Sequence, residues 1–195
     1  MADALGGKLR DDTPVIVARP GAARFVLSLK SWARIPVSDT HALVHALELP
    51  TEVGRSSQGL PRVLTVGPGD WLLTYPLSDA SCLKSLLATQ LTSQGLVLVD
   101  LTPGIAVMEI LGAQARHVLA KSCGLDFEPR LFRGGKCVRT RFAHIPVVID
   151  CLQDGDVFEL YAARSYGRYL RDWLRDASTE FLISSDPDGR SNVDS

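Results

Sequence analysis

The stretch Arg62-Val-Leu-Thr-Val-Gly-Pro-Gly-Asp-Trp-Leu-Leu-Thr-Tyr75 decides how the first half of this chain folds. It contains two short apolar runs, 62–66 and 71–75, of the kind that forms strands. Between them, Pro68 fixes φ at the first corner of a turn and Gly69 tolerates positive φ at the second. The sequence therefore predicts two strands joined by a tight turn.

The segments on either side of this hairpin extend the pattern. Apolar runs predict strands, and polar capping residues followed by helically spaced leucines predict helices. The predicted elements are a strand at 24–30, a helix at 38–49, a helix at 78–95 and a strand at 96–101. With the hairpin they give the order β-α-β-β-α-β over residues 24–101, which is the split pattern of a ferredoxin-like unit.

The second half of the chain predicts the order β-α-β-β-β-α. Its elements are strands at 105–110, 136–142, 145–151 and 157–162, and helices at 112–122 and 165–177. The closing helix has the clearest periodicity, an apolar stripe formed by Tyr166, Tyr169, Leu170, Trp173, Leu174 and Ala177. We expect this stripe to pack on a sheet. The fold class is therefore α+β, with mixed or antiparallel sheets and helices on one side.

Length and composition indicate one compact domain. The chain has 195 residues, of which 46% are hydrophobic and 22% are charged, as in ordinary globular proteins. We expect a single α+β domain at 14–183, with halves at about 24–101 and 102–181. Residues 1–13 and 184–195 lack apolar periodicity and are expected to be flexible tails.

Charge and cysteine usage exclude several classes of protein. Lys plus Arg is 21 and Asp plus Glu is 22, a balance that argues against binding to nucleic acid. No apolar run approaches the roughly 20 residues of a membrane helix. The four cysteines form no C-x-x-C pair and no targeting segment precedes them, so we expect a cytoplasmic protein with reduced thiols.

Few residues suggest chemistry. His41, His45 and Glu48 share one helix face and could ligate a metal, but a solvated polar face explains them more simply. Cys137 lies between Lys136 and Arg139, which could lower its pKa and make it a nucleophile, although buried structural cysteines are more common. Phosphate-binding and dinucleotide-binding glycine motifs are absent. We therefore expect no catalytic, cofactor-binding or metal-binding residue.

Two basic features remain, one on the closing helix and one in the segment 126–141. They are either solvated faces or a patch for an acidic partner or an anionic ligand. The candidate partner-interface residues are Arg130, Arg133, Arg139, Arg141, Arg164 and Arg168.

A colinear set of motifs resembles the gamma subunit family of heterotetrameric sarcosine oxidase. The segment Val66-Gly-Pro-Gly-Asp-Trp-Leu-Leu73 is similar to the family's L-G-P-x-E-W-L-L, with Asp70 in place of the glutamate. The similarity continues through Val99-Asp-Leu-Thr102, Glu109-Ile-Leu-Gly-Ala-Gln-Ala115, Val118-Leu-Ala120, Cys123-Gly-Leu-Asp126, Gly135-Lys-Cys137, Thr140, Ile145-Pro-Val147, Leu160-Tyr-Ala-Ala-Arg-Ser165 and Trp173-Leu174. It spans roughly residues 25–177.

The resemblance implies a fold like the folate-binding module of the aminomethyltransferases. It also implies a small, non-catalytic subunit with alpha, beta and delta partners in a complex that demethylates sarcosine oxidatively and transfers the methylene group to tetrahydrofolate. FAD, FMN, NAD and tetrahydrofolate are then expected on the other subunits, with no cofactor on this chain. The aminomethyltransferase turn Gly-Gly-apolar-Asp-Asp is replaced here by Ala143-His-Ile-Pro-Val-Val-Ile-Asp150, so folate catalysis by this chain is not expected.

Two other functions are left open. One is a free-standing folate-binding protein that resembles relatives of the aminomethyltransferases. The other is a small independent enzyme in which Cys137 is the nucleophile.

Overall fold

The computed structural model describes residues 5–8, 14–31, 49–77, 96–153 and 156–183. The strands are β1 (Leu5–Lys8), β2 (Pro14–Pro20), β3 (Arg24–Ser31), β4 (Arg62–Gly67), β5 (Asp70–Pro76), β6 (Leu96–Asp100), β7 (Ile105–Leu111), β8 (Cys137–Phe142), β9 (Ile145–Gln153) and β10 (Val157–Ala163). The α-helices are α1 (Ala115–Ala120) and α2 (Gly167–Ile183), and short 3₁₀ turns cover Thr102–Gly104 and Arg164–Tyr166.

One sheet has four strands in the order β4-β5-β3-β6, and every neighbouring pair is antiparallel. The predicted hairpin forms one end of this sheet, with β4 at its edge, and Gly69 adopts the expected positive φ, +64°, in the turn. All four predicted strands of the first half are present. Both predicted helices, 38–49 and 78–95, lie outside the described residues, so the ferredoxin-like order stays a prediction.

The other sheet has six antiparallel strands in the order β1-β2-β7-β10-β9-β8. Its strands β7 to β10 are the ones predicted for the second half. The two strands at one end of the sheet, β1 and β2, were not predicted. β1 lies in the stretch 1–13, which was expected to be a flexible tail. β2 is a short apolar run between Pro14 and Pro20, and both prolines resemble loop signals when read without the pairing strand β7.

The hydrophobic core forms three clusters around these two sheets. α1 and α2 cover one face of the six-stranded sheet, where Leu170 and Leu174 are completely buried. The opposite face packs on the four-stranded sheet, as in other sheet-on-sheet structures, through residues such as Leu64 and Tyr161. Along β5, residues of the third cluster, such as Trp71, alternate with residues of the cluster that lies between the two sheets. Because successive side chains of a strand point to opposite faces, the third cluster lies on the far face of the four-stranded sheet.

The predicted apolar stripe of the closing helix is only partly buried. Leu170, Leu174 and Ala177 are buried, and Trp173 packs edge-on against Phe142 with ring centroids 5.0 Å apart. Tyr166 and Tyr169, by contrast, are exposed. Tyr166 lies in the 3₁₀ turn before α2, where the tighter winding rotates it away from the helical stripe.

Candidate functional site

The most polar part of the interior is a row of acidic residues on three neighbouring strands of the six-stranded sheet. Glu159 of β10 lies directly opposite Glu109 of β7 on one side and Asp150 of β9 on the other. Residues paired in this way point to the same face, so the three carboxylates form one row facing the second sheet. Like charges placed opposite each other destabilise a sheet, and this row therefore needs cations.

Each carboxylate of the row is matched by one arginine. Arg19 lies next to Glu109 on the neighbouring strand β2 and makes an exposed ion pair with it at 2.5 Å. Arg24 of β3 and Arg62 of β4 come from the four-stranded sheet and contact Glu159 and Asp150. The two inner ion pairs therefore connect the two sheets.

The pair between Arg62 and Asp150 is bidentate and completely enclosed. Arg62 Nε donates to Asp150 Oδ2 at 2.5 Å and Nη2 donates to Oδ1 at 3.0 Å, while the Ser56 hydroxyl donates to Oδ1 at 2.8 Å. Arg62 also donates to the backbone carbonyls of Ser57 and Cys151. Burial opposes the charge of Arg62, but the hydrogen bond and charge of Asp150 outweigh it and raise the pKa of the arginine.

Glu159 has a different environment, although it is equally buried. Arg24 Nη2 lies 2.5 Å from one carboxyl oxygen, and the Tyr161 hydroxyl donates to the other at 2.5 Å. Burial raises the pKa of Glu159 above its ordinary value, and the Tyr161 hydroxyl and Arg24 only partly reverse this. Burial, followed by the charge of Glu159, raises the pKa of Tyr161 well above its ordinary value.

Cys137 does not have the properties of an activated nucleophile. It is 2% exposed, and its thiol donates to the carbonyl oxygen of Arg55 at 3.2 Å. Burial and the facing carboxylate of Asp150 raise the pKa of the thiol from 9.0 to about 12. Lys136 does lower this pKa, as its place in the sequence suggested, but the loss of water around the buried thiol outweighs it, so Cys137 is not activated.

A cleft of 630 Å³ opens where the β2–β3 connection, β7 and the start of α2 meet. Its apolar lining comes mainly from β7 and from Val26 of β3. Its cationic lining consists of Arg24, Arg164, Arg168 and Arg171. Arg164 and Arg168 are two of the interface residues predicted from the sequence. The structure places Arg24 and Arg171 beside them in the cleft.

Two glycines allow the walls of this cleft to approach each other. A Cβ atom on Gly21 would lie 2.7 Å from Cγ1 of Val107, and the amide of Gly21 donates to the Val107 carbonyl at 2.9 Å. A Cβ atom on Gly167, at the start of α2, would lie 3.0 Å from that of Ala106. The arginines of α2 are therefore held close to β7.

The other four predicted arginines lie on different elements. Arg130 and Arg133 are exposed on the loop between α1 and β8, and Arg139 and Arg141 are exposed on β8. Arg139 makes an ion pair with Asp70 at 2.9 Å. The six predicted residues therefore occupy three surfaces rather than one patch.

The loop that carries Arg130 and Arg133 is firmly anchored. The buried guanidinium of Arg116 donates to the carbonyl oxygens of Phe127 and Phe132 at 2.6 and 2.7 Å. The rings of Phe127 and Phe132 pack edge to face with centroids 5.4 Å apart. We call residues 127–133 the anchored loop. At its tip Leu131, which lies between the two arginines, is 60% exposed.

A second cavity, of 440 Å³, lies beside the hairpin turn between β8 and β9. Arg141, His144 and Trp173 line it, with residues of the segment that follows α1. Both turn residues, Ala143 and His144, have positive φ, as a two-residue hairpin loop requires.

Several sequence candidates fall outside the described residues. These are the possible metal ligands His41, His45 and Glu48, together with Cys82. Within the described ranges, no three His, Cys, Asp or Glu side chains are grouped to hold a metal ion. The cysteines at 123, 137 and 151 are buried, and no disulfide joins any two of these three. Among the residues the structure covers, no helix has the length and apolarity needed to cross a membrane.

Sequence reasoning missed the four residues of the two inner ion pairs between the sheets, Arg24, Arg62, Asp150 and Glu159. A signal for two of them was present, since Asp150 and Glu159 interrupt otherwise apolar strands, and a charge in that position needs a partner inside the protein. Arg24 and Arg62 stand at the first positions of their strands and resembled ordinary strand boundaries.

The architecture of two facing sheets is that of a known class of protein. Aminomethyltransferase T of the glycine cleavage system from Bartonella henselae superposes with a TM-score of 0.60, covering 88% of this chain and 53% of that one. Their sequences are 15% identical, so the likeness concerns the fold alone. The chain thus has an aminomethyltransferase-like α+β fold built on two antiparallel sheets.

Closer relatives identify the family. The family model described as "Sarcosine oxidase, gamma subunit family" matches residues 36–180, and this chain belongs to that family. The sarcosine oxidase subunit gamma of an Arthrobacter species is 31% identical over 153 residues, 75% of this chain and 73% of that protein. The subunit of the same name from Corynebacterium strain U-96 is 30% identical over 153 residues, with the same two coverages.

A solved structure agrees with this assignment. A chain of the heterotetrameric sarcosine oxidase from Corynebacterium sp. U-96, in complex with pyrrole 2-carboxylate, superposes with a TM-score of 0.75. The match is 28% identical and covers 86% of this chain and 85% of that chain. The family resemblance seen in the sequence motifs is confirmed.

Proposed function

We propose that this chain is the small gamma subunit of a heterotetrameric sarcosine oxidase, assembled with alpha, beta and delta subunits. The complex demethylates sarcosine oxidatively and passes the methylene group to tetrahydrofolate. The observation that carries the proposal is the superposition, at a TM-score of 0.75 and over most of both chains, on a chain of such a heterotetramer. The proposed location is the cytoplasm.

The proposed role of this chain within the complex is structural. The buried groups Arg62, Asp150 and Glu159 and the half-buried Arg24 form ion pairs across the two sheets, an arrangement that supports the fold. The raised pKa of Cys137, about 12, argues against a thiolate nucleophile. FAD, FMN, NAD and tetrahydrofolate are proposed to bind to the other subunits.

The proposed contact surfaces are those of the six exposed arginines. The anchored loop presents Leu131 between Arg130 and Arg133, and an exposed apolar side chain flanked by guanidinium groups suits a protein interface. Arg139 and Arg141 on β8 and the arginines of the cleft are proposed as two further, separate contact surfaces.

Co-expression tests this assignment directly. The chain is produced with the alpha, beta and delta subunits of its own organism, and the complex is isolated through a tag on alpha. We expect this chain to elute with the other three in equal amounts and sarcosine oxidation to depend on its presence. A complete, fully active assembly of the other three subunits that never retains this chain would contradict the proposal.

The fold likeness to aminomethyltransferase T leaves folate binding by the isolated chain as the alternative. That likeness is at 15% identity and carries less weight than the family match. Calorimetry of the isolated chain with tetrahydrofolate separates the two functions. The proposed subunit gives no binding heat, whereas a free-standing folate-binding protein gives saturable heat.

A further inference from the structure

The 630 Å³ cleft carries more positive charge than its surroundings neutralise. Four arginines line it, Arg24, Arg164, Arg168 and Arg171. Glu159 pairs with Arg24, and Asp172 is shared between Arg168 at 3.7 Å and Arg171 at 3.0 Å. Within the part of the chain that the structure describes, two carboxylates therefore contact three of the four guanidinium groups, and Arg164 donates to the backbone carbonyl of Thr102 at 3.4 Å.

The start of α2 adds to this positive charge. The amino end of a helix carries a partial positive charge, and acidic residues there stabilise it. α2 has no acidic residue in its first turn, and Arg164 and Arg168 flank its beginning instead. This arrangement opposes the helix dipole, and an anion bound beside Gly167 would relieve it.

Among the strands that the structure describes, none pairs with the edge of β7 beside the cleft at Ile105. β10 pairs with the whole of β7, down to Ile105, whereas pairing with β2 ends at Met108. The Val107 carbonyl accepts from Gly21 on the β2 side. Since polar backbone groups alternate in direction along an antiparallel strand, those of Ile105 also point to that side, into the cleft.

The spacing of the arginines suits side chains on an extended segment. Alternate side chains of a strand are about 6.6 Å apart and lie on one face. Arg164 and Arg168 are separated by about one helical turn, or roughly 6 Å along the axis. The apolar lining from Ile105 and Ala106 accommodates the backbone of such a segment better than a hydrated ion.

We propose that this cleft receives an extended acidic segment of a partner subunit. Its carboxylates pair with Arg164, Arg168 and Arg171, and its backbone lies along the open edge of β7 at Ile105. This inference rests on the proposed function, since it requires a partner subunit. A small free anion is the competing occupant.

The test is a charge reversal that does not weaken the helix. Arg168→Glu and the double variant Arg164→Glu/Arg168→Glu are compared with Arg175→Glu, an exposed arginine of the same helix that does not line the cleft. Arg168→Glu loses the exposed contact with Asp172, but glutamate near the start of a helix favours the dipole, so the two effects offset each other and the first two variants should melt close to wild type. Binding to the assembled alpha, beta and delta subunits is measured for each variant.

We expect the dissociation constant to rise about tenfold for the single variant and about a hundredfold for the double variant. Arg175→Glu should stay within about twofold of wild type. Amide hydrogen exchange is the second measurement. We expect the amide of Ile105 to become protected from exchange when the wild-type chain binds its partners.

Each failure has its own signature. If wild type does not bind the other subunits, the proposed function is wrong. If wild type binds and both cleft variants bind equally well, or if Ile105 stays unprotected, the proposed function stands and the cleft inference is wrong. The inference is also wrong if inorganic phosphate stabilises the isolated wild type but not the double variant while partner binding is unchanged, because the cleft is then a small-anion site.

Discussion

Asp150 and Glu159 lie directly opposite each other on neighbouring strands, and both are completely buried. Each meets a different arginine of the facing sheet, Arg62 or Arg24. Two like charges are thereby held side by side within the interior, and the cations that permit this come from the other sheet. The fold therefore depends on contacts between distant parts of the chain.

The first prediction concerns the buried pair of Arg62 and Asp150. Arg62→Met leaves a buried carboxylate without its cation and should lower the free energy of unfolding by about 3–5 kcal/mol. The matched control is Arg55→Met, which breaks the exposed pair with Glu52 and should cost less than about 1 kcal/mol. Urea unfolding of both variants measures the difference, and equal losses would contradict the enclosed geometry.

The second prediction concerns the pH dependence contributed by Glu159. Arg24, Tyr161, Asp150 and Glu109 surround this carboxyl, and burial raises its pKa above the ordinary 4.5. The native state therefore holds a proton that the unfolded chain has released, so this part of the stability falls as pH rises above about 4.5.

The substitution Glu159→Gln removes this titrating carboxyl group. The stability of wild type relative to this variant should decline as pH rises from 4.5 towards neutrality. Urea unfolding at several pH values measures this difference. An increase in the relative stability of wild type over the same range would show that the pKa is lowered in the native state.

The third prediction concerns the reactivity of Cys137. Since the thiol is buried and its pKa is raised to about 12, iodoacetamide at pH 8 should modify it at least about a hundredfold more slowly in the native chain than in urea. Peptide mass spectrometry gives the rate at this residue. Equal rates in the two states would restore Cys137 as a candidate nucleophile.

The fourth prediction concerns the contact between Gly21 and Val107. Gly21→Ala places a methyl group 2.7 Å from Cγ1 of a stiff, branched side chain and should cost about 1–3 kcal/mol. Gly104→Ala is the control, because nothing lies within 4 Å of the added atom, and it should change stability by less than about 0.5 kcal/mol. Thermal unfolding compares the two variants. Equal melting temperatures would show that the β2–β3 connection shifts to accommodate the methyl group without loss of stability, which would contradict the prediction.

The sequence predicted most strands because their signals are local. The hairpin around Pro68 and Gly69 carries its turn chemistry within four residues, and β7 to β10 are apolar runs bounded by turns. β2 escaped prediction because its strand character depends on pairing with β7, which no local pattern reveals.

The partners of the buried charges could not be identified from the sequence for a related reason. Arg62 and Asp150 are 88 positions apart, and nothing in either neighbourhood indicates the other. The cationic stripe with Arg164 and Arg168 was visible as a helical spacing, but Arg24 joins the cleft only through the packing of β3 against β7. For Cys137 the sequence favoured a buried structural role over a nucleophile with a lowered pKa, and the structure agrees, since burial raises the pKa of the thiol.

The ion pairs that Arg24 and Arg62 make with the facing sheet also affect whether the chain can be divided into two fragments. A cut after Asp100 would give an amino-terminal fragment that carries both arginines and the strands β1 and β2, and a carboxyl-terminal fragment that carries Asp150 and Glu159. Neither product retains the counter-charges that its own interior requires. Expression of the two fragments should therefore yield folded protein only when both are made together and associate. The two sheets thus form a single folding unit.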